Sequence, residues 1–412
     1  MSATVGEGLR IVRLANFVTP ASGGLRTALR ELGAGYLAAG HEPVLIVPGE
    51  TESDTRTTQG RVITLPGRTL PGTGGYRVLT DRRRLAGLLA ALGPDRLEVS
   101  DRTTLRWTGE WARRHRVPAV MVSHESVDGV LATWGVPQGL CRRAADRLNL
   151  RTAHAYTRVV CTTEWAAREF QRVGARNVVR APLGVDLRRC RPGLRDPELR
   201  GRLGGDARVL LAMCSRLSPE KRPGLALDTL AELLRRGVDA ALVIAGQGPL
   251  GGRLRERARH DGLPVLFAGH VGDPADLAVL QATADIVLAP GPAETFGLAA
   301  MEALACGTPV VASARSAVPA LLGAAGTAAD GSGAAFADGV QRLLARPEDA
   351  RRAAARARAE RFPWSVAVDA FLTALDAAPV AGGATGARTV PAPGERPGAG
   401  RGTGRAADGG ER

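Results

Sequence analysis

Residues 289–313, A-P-G-P-A-E-T-F-G-L-A-A-M-E-A-L-A-C-G-T-P-V-V-A-S, contain the pattern that decides the fold of this chain. An apolar strand over 285–289 leads into a Pro-Gly-Pro turn, and we predict a helix that begins near Gly297 and ends at Cys306–Gly307. A glycine just past a helix and a proline soon after it are common stop signals. A strand, a short loop and a helix in this order are typical of an open α/β sheet, in which the first helical N–H groups are unpaired and face a ligand.

Two carboxylates, Glu294 and Glu302, flank the start of this helix with seven residues between them. The N–H groups of Phe296, Gly297 and Leu298, at the helix N-terminus, could hold a phosphate. The carboxylates would then accept hydrogen bonds from hydroxyl groups on either side of that phosphate, an arrangement that suits a nucleotide-sugar. The spacing leaves a second interpretation equally open, in which Glu294 caps the helix and Glu302 is a solvated helix residue.

The composition indicates a globular cytoplasmic protein. The chain has 412 residues, 44% of them hydrophobic, enough for one large or two medium domains. Its five cysteines are scattered and odd in number, which favours a reducing compartment over a disulfide framework or a zinc site. No apolar run approaches the ~20 residues that a membrane span needs, and the first residues lack the apolar core of a signal peptide.

The formal net charge of +14 admits nucleic acid or an anionic membrane surface as a partner. The chain is rich in Arg, Ala and Gly and has a single lysine, Lys221, so compositional drift toward arginine explains the charge equally well. No stacking aromatic set and no nucleic-acid-binding motif accompanies the charge, and we predict no nucleic-acid partner. A lone lysine in such a chain indicates a position that needs a compact ammonium group, although chance is a fair alternative.

Strands and helices alternate in two successive series along the chain. The predicted strands of the first series are 10–15, 44–47, 61–65, 97–99, 119–122, 159–162 and 178–180, and those of the second are 208–213, 240–245, 265–268 and 285–289. This alternation predicts parallel sheets with right-handed crossovers. The fold class is therefore α/β, with two Rossmann-like domains whose sheets face each other across a cleft.

The domain boundaries follow from the same alternation and from the composition of the ends. We assign, in chain order, 1–8 to a flexible N-terminus, 9–190 to the first domain, 188–206 to a linker region, 207–361 to the second domain, and 379–412 to a disordered tail. The tail is nearly all Gly, Ala, Pro, Thr and Arg, which cannot build a core. A last amphipathic helix is expected over 365–375.

Polar residues follow several strands of the first series, at the sheet edge where ligands bind in folds of this kind. The paired glycines Gly23-Gly24 follow the first strand, Asp101 follows the strand at 97–99, and His124 follows the strand at 119–122. A glycine pair is also common in plain turns, and a lone histidine is often only structural. A functional and a structural interpretation of these residues therefore stay open.

Arg216 and Lys221 lie five residues apart after the first strand of the second series. Both would reach the same crevice as the Glu294 loop. Two cations and helix-terminal N–H groups can neutralise a departing diphosphate without a metal ion. The D-x-D carboxylate pair that usually holds Mg²⁺ or Mn²⁺ is absent, as is the P-loop pattern of nucleotide hydrolases.

Several motifs, taken in order, resemble those of the retaining glycosyltransferases of the GT-B group that carry a Glu-x7-Glu signature. They are Gly23-Gly24, S-H-E at 123–125, P-L-G-V-D at 182–186, R-L-S-P-E-K at 216–221, A-G-Q-G-P at 245–249 and E-T-F-G-L-A-A-M-E at 294–302. The resemblance runs from about residue 10 to residue 375. In the N-terminal half, S-G-G-L-R-T-A-L and L-E-V-S-D-R-T-T-L-R resemble the actinobacterial GDP-mannose-dependent α-mannosyltransferases of phosphatidylinositol mannoside synthesis.

The resemblance implies transfer with retention at the anomeric carbon, no essential metal or other cofactor, and a helix within 362–377 that crosses back to the first domain. It implies a catalytic set of His124, Arg216, Lys221 and Glu294. It implies a donor site of Gly23, Gly24, Arg216, Lys221, Gly246, Val271, Asp273, Glu294, Phe296, Gly297, Leu298 and Glu302. Within that site Arg216 and Lys221 would hold the diphosphate, Glu302 the ribose, and Glu294 the transferred sugar. Acceptor contacts are assigned to Asn16, Asp101 and Arg102.

The partners implied are GDP-mannose and a phosphatidylinositol mannoside or related glycolipid at the inner face of the plasma membrane. Arg77 and Arg82–Arg84, with Leu70, Tyr76, Val78 and Leu79, form a candidate basic and apolar patch for anionic lipid, although a solvated helix start explains them equally well. G-H-V-G-D-P at 269–274 matches the base-contacting segment loosely. This keeps an alternative open, a UDP-sugar donor with a soluble or diacylglycerol acceptor. The sequence makes no prediction of oligomeric state.

Overall fold

A computed structural model describes residues 8–18, 23–70, 75–124, 126–133 and 137–380. The predicted flexible N-terminus, apart from Gly8, and the predicted tail beyond Val380 lie outside the described residues, as does Glu125 of the S-H-E motif. The described residues contain two large parallel sheets with helices on both faces. The predicted α/β fold class is confirmed.

The first sheet has eight strands, seven of which pair in parallel. The strands of the N-terminal half are β1 (Arg10–Leu14), β2 (Glu42–Gly49), β3 (Ser53–Thr57), β4 (Gly60–Pro66), β5 (Arg68–Thr69), β6 (Arg77–Val78), β7 (Arg96–Val99), β8 (Ala119–Ser123), β9 (Arg158–Cys161) and β10 (Val178–Arg180). The sheet order is β10-β9-β8-β7-β1-β2-β4-β3, and β5 and β6 form a separate hairpin. The edge strand β3 is antiparallel to β4 and was not predicted. All five of its residues are exposed, so no apolar alternation marks it in the sequence.

Helices of the N-terminal half cover both faces of this sheet. They are α1 (Gly24–Ala38), α2 (Arg82–Leu92), α3 (Trp107–Arg114), α4 (Val127–Thr133), α5 (Gln138–Ala155) and α6 (Glu164–Gln171). Helix α2 begins where the Asp81 side chain accepts a hydrogen bond from the Arg84 N–H, and it ends at Gly93 in the left-handed conformation. Thr163 caps α6 in the same manner through the Ala166 N–H. These side-chain caps satisfy helix N–H groups that have no backbone partner.

The second sheet has six parallel strands in the order β13-β12-β11-β14-β15-β16. They are β11 (Val209–Cys214), β12 (Ala240–Ala245), β13 (Val265–Gly269), β14 (Ile286–Ala289), β15 (Val310–Ser313) and β16 (Gly326–Ala329). Its helices are α7 (Pro197–Gly204), α8 (Gly224–Arg235), α9 (Gly251–His260), α10 (Pro274–Thr283), α11 (Leu298–Ala305), α12 (Val318–Leu322), α13 (Gly333–Leu344) and α14 (Glu348–Ala359). From the centre of the sheet, β11 to β13 follow one another toward one edge and β14 to β16 toward the other. The crevice at the carboxyl ends of β11 and β14, where the order reverses, is therefore the expected ligand position.

The region 188–206, which we expected to be a linker, contains a 3-10 turn at Pro192–Leu194 and helix α7. The Asp196 side chain starts α7 by accepting hydrogen bonds from the N–H groups of Glu198 and Leu199. The helix packs against β11 and β12. None of its residues is fully buried, which is why the sequence showed no apolar periodicity there.

The chain crosses between the two halves at two adjacent places. The Val185 N–H donates to the Phe362 carbonyl at 2.8 Å, and Val185 pairs with Pro363 as a parallel bridge. Gly184 permits this approach, since a Cβ there would lie 2.5 Å from the Trp364 Cα. We call these two segments, 184–185 and 362–364, the double crossing.

The last helix, α15 (Trp364–Ala374), packs against α1 of the N-terminal half. A Cβ on Gly35 would lie 2.2 Å from a methyl carbon of Val368, so α1 and α15 touch at a glycine. Phe371 of α15 is fully buried in the same apolar cluster as Tyr36 of α1. Arg96 also donates from Nε to the Leu375 carbonyl at 2.6 Å. The end of the described chain is therefore bound to the N-terminal half.

Candidate active site

The loop between β14 and α11 joins the two halves of the molecule. Hydroxyl groups of Thr162 and Thr163, just after β9, donate to the Thr295 carbonyl at 3.1 and 2.8 Å. The Thr295 hydroxyl donates in turn to the His124 carbonyl at 2.6 Å, just after β8. Phe296 follows with its side chain buried. The loop that carries Glu294 therefore rests on the carboxyl ends of two strands of the first sheet.

Lys221 and Glu294 form an ion pair in this crevice. Lys221 lies in a 3-10 turn at Pro219–Lys221, soon after β11, and its Nζ is 2.5 Å from Glu294 Oε1. The two side chains are 18% and 26% exposed, so both are accessible to a ligand. Gly291 lies beside the pair, where an added Cβ would be 3.5 Å from Glu294 Oε1. An anion that enters the crevice would compete with Glu294 for the ammonium group.

Arg216 spans the cleft between the two sheets. Its Nη2 lies 3.0 Å from Glu220 Oε1 on the same loop, and its guanidinium carbon lies 5.1 Å from the ring centroid of Tyr76 in the N-terminal half. Tyr76 in turn meets Phe17 edge-on, with ring centroids 6.1 Å apart. A guanidinium over an aromatic face is attracted by the ring quadrupole. Sequence reasoning missed Tyr76 as a neighbour of the site, because nothing local in the sequence signals a contact across 140 residues.

Two helix N-termini, one from each half, meet at this position. Gly23 precedes α1, and a Cβ on Gly24 would lie 3.5 Å from Leu298 Cδ1 at the start of α11. Gly297 caps α11 at φ +76°, and a Cβ there would lie 2.5 Å from Val318 Cγ2, so both the backbone and the packing require glycine. Helix N-termini carry partial positive charge and unpaired N–H groups. The two ends together with Arg216 and Lys221 make a crevice suited to a diphosphate.

Glu302 lies on α11 with its side chain 16% exposed. Burial raises the pKa of this carboxyl to about 7, and the nearby Arg189 guanidinium, 3.8 Å away, opposes the shift only in part. Arg189 is also paired with Asp186 at 3.3 Å. The carboxyl is therefore partly protonated at neutral pH, and its oxygens can accept hydrogen bonds from ligand hydroxyl groups such as those of a ribose.

Replacing Glu302 by Gln is expected to stabilise the ligand-free protein at pH 8. Because the folded carboxyl has a pKa of about 7, above its usual value, the folded protein binds a proton more tightly than the unfolded chain between those two values. The contribution of Glu302 to the free energy of unfolding therefore falls as the pH rises toward 7, and it stays low above pH 7. The variant should gain about 2 kcal/mol at pH 8 and nothing at pH 4. Thermal unfolding at both pH values checks this, with the exposed Glu256→Gln as control; an equal shift at both pH values would contradict it.

His124 is an uncharged hydrogen-bonding group in this structure. Its Nε2 lies 3.0 Å from the Ser100 hydroxyl. Burial, reinforced by the charges of Arg13 and Arg102, lowers the pKa of His124 to about 4. A neutral imidazole can hydrogen-bond a sugar hydroxyl, but it does not supply a positive charge to the departing phosphate.

Asn16 and Asp101, two of the three residues assigned to the acceptor, belong to one buried network. The Asn16 amide donates to Asp101 Oδ2 at 3.0 Å and to the Thr104 hydroxyl at 2.6 Å, while its Oδ1 accepts from the Leu79 N–H. Asp101 also accepts from the N–H and the hydroxyl of Thr103. Their hydrogen bonds hold the loop after β7 in place. The structure does not favour an acceptor role for them, and that role stays a prediction.

Arg102, the third of these residues, points into the protein. Its Nη1 donates to Asn149 Oδ1 at 2.8 Å and lies 3.4 Å from Glu169 Oε2, and its guanidinium carbon lies 5.2 Å from the Phe170 ring centroid. These partners pair the charge inside the N-terminal half. A contact from Arg102 to the acceptor is likewise not favoured.

The segment predicted to contact the base lies at the ends of β12 and β13. At Gly246, after β12, a Cβ would lie 1.9 Å from the Ser215 carbonyl oxygen, so only glycine fits beside the Arg216 loop. Val271 is partly buried against the core. The Asp273 carboxylate caps α10 by accepting from the Ala275 N–H at 2.8 Å. Asp273 thus has a structural role, and its contact with the base stays a prediction.

Two of the four apolar residues in the predicted basic and apolar patch do not reach the surface. Val78 and Leu79 are buried, at 3% and 5% exposure, because β6 and the loop after it pack on the first sheet. Arg77 pairs with Glu50, and Arg84 pairs with Glu52. The inclusion of Val78 and Leu79 in the patch was therefore wrong, while Arg82 and Arg83 are exposed and a role for them at a lipid surface stays a prediction. Across the ranges that the structure describes, no three His, Cys, Asp or Glu side chains cluster as metal ligands would, and none of the helices is long and apolar enough for a bilayer span.

Comparisons with known families agree with the two-sheet architecture. The family described as glycosyl transferases group 1 matches residues 198–360, and the glycosyl transferase 4-like domain matches residues 23–184. Among solved structures, sucrose-phosphate synthase from Thermosynechococcus elongatus has a TM-score of 0.71 at 20% identity and covers 89% of this chain and 98% of its own. Anabaena HepE in complex with UDP and glucose has a TM-score of 0.69 at 19% identity, covering 89% and 99%. At these identities the likeness shows the fold alone.

Two sequence relatives cover 90% and 74% of this chain. A protein from Mycobacterium tuberculosis named GDP-mannose-dependent alpha-(1-6)-phosphatidylinositol dimannoside mannosyltransferase is 48% identical over 371 residues, which is 90% of this chain and 96% of that relative. A GDP-mannose-dependent alpha-mannosyltransferase from Mycolicibacterium smegmatis is 29% identical, covering 74% of this chain and 79% of its own. The resemblance found in the motifs is confirmed, and the chain belongs to the group 1 glycosyltransferases, with the two facing sheets of the GT-B fold.

Proposed function

We propose that this protein is a mannosyltransferase that moves mannose from GDP-mannose to a phosphatidylinositol mannoside or a related glycolipid, with retention at the anomeric carbon. The observation that carries the proposal is the 48% identity to the mycobacterial dimannoside mannosyltransferase across nearly the full length of both chains. The Lys221–Glu294 pair, Arg216 on the same loop as Lys221, and the two helix N-termini that meet nearby support the chemistry that such a transfer needs.

The donor diphosphate would lie between Arg216 and Lys221, at the N-termini of α1 and α11. Its negative charge would draw the Lys221 ammonium away from Glu294, because a diphosphate carries more charge than one carboxylate. Glu294 would then be free to accept hydrogen bonds from the sugar hydroxyls. Donor binding thus converts an internal ion pair into two ligand contacts.

The transfer itself would take place on one face of the sugar. The bond from the anomeric carbon to the phosphate oxygen breaks, and the bond to the acceptor oxygen forms on the same side. The acceptor proton passes to the departing phosphate oxygen, while Arg216, Lys221 and the helix N–H groups stabilise its charge. Neutral His124 hydrogen-bonds the sugar. No carboxylate acts as a covalent nucleophile in this scheme.

We also propose that no metal ion is needed and that the enzyme works at the surface of a membrane. Two cationic side chains and two helix ends would neutralise the diphosphate, as a divalent metal does in other transferases. A lipid acceptor requires access to a bilayer, and a chain with a net charge of +14 would be attracted to anionic lipid.

Donor selectivity and chelation test this proposal. With a lipid extract that contains phosphatidylinositol dimannoside, we expect GDP-mannose to label a lipid, UDP-glucose and UDP-N-acetylglucosamine to label nothing, and EDTA to leave the rate unchanged. Thin-layer separation of radiolabelled products provides the measurement. Labelling by a UDP-sugar instead would overturn the donor assignment, and loss of activity in EDTA that Mg²⁺ or Mn²⁺ restores would overturn the metal-free site.

A further inference from the structure

A cavity of about 680 Å³ lies between the two halves of the molecule. It is lined by Ser126, Asp128, Gly129, Gln138, Arg142, Trp165 and Arg172 of the N-terminal half, and by Pro219, Arg222, Pro292 and Arg315 of the C-terminal half. Its volume falls in the range of about 300–1,000 Å³ that is usual for ligand sites. Both halves supply its walls, as expected of a site that forms when the cleft closes.

The cavity adjoins the Lys221–Glu294 pair. Arg222 follows Lys221 directly, and Pro292 precedes Glu294 by two residues. Helix α4 touches the same loop, since a Cβ on Gly129 would lie 3.2 Å from the Ala293 Cβ. A ligand in the cavity would therefore reach the position at which the sugar is transferred.

The residues that we assign to the nucleotide lie elsewhere. Gly246, Val271, Asp273 and Glu302 are absent from the described lining of the cavity, as is Arg216. The nucleotide and the cavity thus use different groups around the same ion pair. The cavity is available to the other substrate, the acceptor.

The charge in the cavity suits an anion. Arg172 is neutralised by Asp128 at 3.2 Å and Asp146 at 2.6 Å. Arg142 and Arg315 are exposed, and neither makes an ion pair within the described parts of the chain. Arg222 donates to the Gly331 carbonyl, which does not compensate its charge. Among the described residues, three guanidinium groups of this cavity, those of Arg142, Arg222 and Arg315, thus have no carboxylate partner, and guanidinium is the group best matched to phosphate oxygens.

The rest of the lining suits a carbohydrate attached to that anion. Trp165 offers a half-buried aromatic ring and Gln138 an exposed amide, whereas the buried Ser126 hydroxyl is already bonded to Asp128 and Glu169. An apolar or aromatic wall with a few placed polar groups is typical of a site that orients a small ligand. Anion-binding and sugar-binding groups thus occur side by side.

We propose that this cavity binds the phosphate-bearing headgroup of the glycolipid acceptor, with Arg142 and Arg315, one from each half, holding the phosphodiester. The inference rests on the proposed function, and it adds where the acceptor lies and which residues select an anionic one. Because the two arginines belong to different halves, an anionic acceptor would also favour the closed cleft.

Kinetics with matched acceptors test the cavity. The variants are Arg142→Gln, Arg315→Gln and the double variant, and the control is Arg143→Gln, an exposed neighbour on α5 that does not line the cavity. The acceptors are the deacylated headgroup of phosphatidylinositol dimannoside and the same headgroup with its phosphate removed. We expect each cavity variant to raise the KM for the phosphorylated acceptor about 10-fold or more. The KM for the phosphate-free acceptor and all values for Arg143→Gln should stay unchanged.

Two outcomes would overturn the proposal. One is an unchanged KM for the phosphorylated acceptor, and the other is an equal rise for both acceptors, which would indicate a general disturbance of the cleft. If the cavity held only free phosphate, the double variant would lose inhibition by inorganic phosphate and keep its acceptor KM. If the wild-type protein failed to use GDP-mannose, the proposed function would be refuted. Calorimetric binding of the phosphorylated headgroup to the wild type and to the double variant would then still show whether the cavity binds this headgroup.

Discussion

Glu294→Gln is expected to retain GDP binding and to lose mannosyl transfer by a factor of about 1,000. Glu294 carries no contact to the diphosphate in the proposed complex, so the affinity for GDP should remain or rise once Lys221 is released from its carboxylate partner. The transfer should fail because the carboxylate is needed where positive charge develops on the sugar. Loss of one aligned electrostatic group commonly costs about 100–1,000-fold in rate. Steady-state transfer and calorimetric GDP binding give the two readouts.

The Lys221→Met variant is expected to lose both GDP binding and mannosyl transfer. The ammonium group would bind the diphosphate in the ground state and in the transition state, so GDP affinity and transfer should fall together. Arg253→Met removes a charge from the exposed face of α9 and serves as the control. Thermal unfolding must show that both site variants remain folded. Normal transfer by either Glu294→Gln or Lys221→Met would refute the assignment of this pair to the site.

Gly246→Ala is expected to destabilise the C-terminal half by about 2–4 kcal/mol and to abolish donor binding. The added methyl group would lie 1.9 Å from the Ser215 carbonyl oxygen, and backbone cannot move aside as a flexible side chain can. The loop of Ser215 and Arg216 would have to shift, and with it one of the two cations of the diphosphate site. Chemical denaturation and GDP titration measure the two effects.

Gly252→Ala provides the matched control for this substitution. Gly252 lies in α9, and nothing stands within 4 Å of the position that a Cβ would take. Alanine is the better helix former, so this variant should be unchanged or more stable by about 0.5–1 kcal/mol. A Gly246→Ala protein as stable as Gly252→Ala would show that the loop tolerates a side chain after all.

The sequence predicted the fold well because the deciding signals are local. The strand at 285–289, the turn and the helix start at Gly297 all occur within one short segment, and each has its own residue signature. Buried parallel strands such as β11 and β12 are continuous apolar runs, which are easy to find. The polar edge strand β3 has no such run, so it could not be predicted.

The contacts across the cleft could not be predicted from the same signals. The position of the Arg216 guanidinium over the Tyr76 ring and the hydrogen bonds from Thr162 and Thr163 to Thr295 join segments that are far apart in the chain. A motif identifies a residue type and a local conformation, but the partner of that residue depends on how the two sheets meet. The four arginines of the cavity belong to this class, because no two of them are near neighbours in sequence.

Burial explains the predictions that the structure does not favour. Asp101 carries the polarity of a ligand-binding residue and follows a strand end, as such residues do, yet its carboxylate accepts hydrogen bonds from Asn16, Thr103 and Thr104. The sequence shows that a polar residue is present at the sheet edge. It does not show how many of its hydrogen bonds the protein itself will use.

The double crossing determines which motions of the two halves remain easy. A single covalent connection would allow the halves to bend and to twist about the chain. Two neighbouring connections, joined by the Val185–Phe362 hydrogen bond, resist twisting and leave rotation about one axis through that point. We expect opening to carry the Thr295 loop away from His124 while Gly35 and Val368 stay in contact, since α15 moves with α1. On opening, the distance between two spin labels, one on each sheet, should therefore lengthen more the farther the labels lie from the double crossing. The diphosphate crevice and the acceptor cavity should open in a single step.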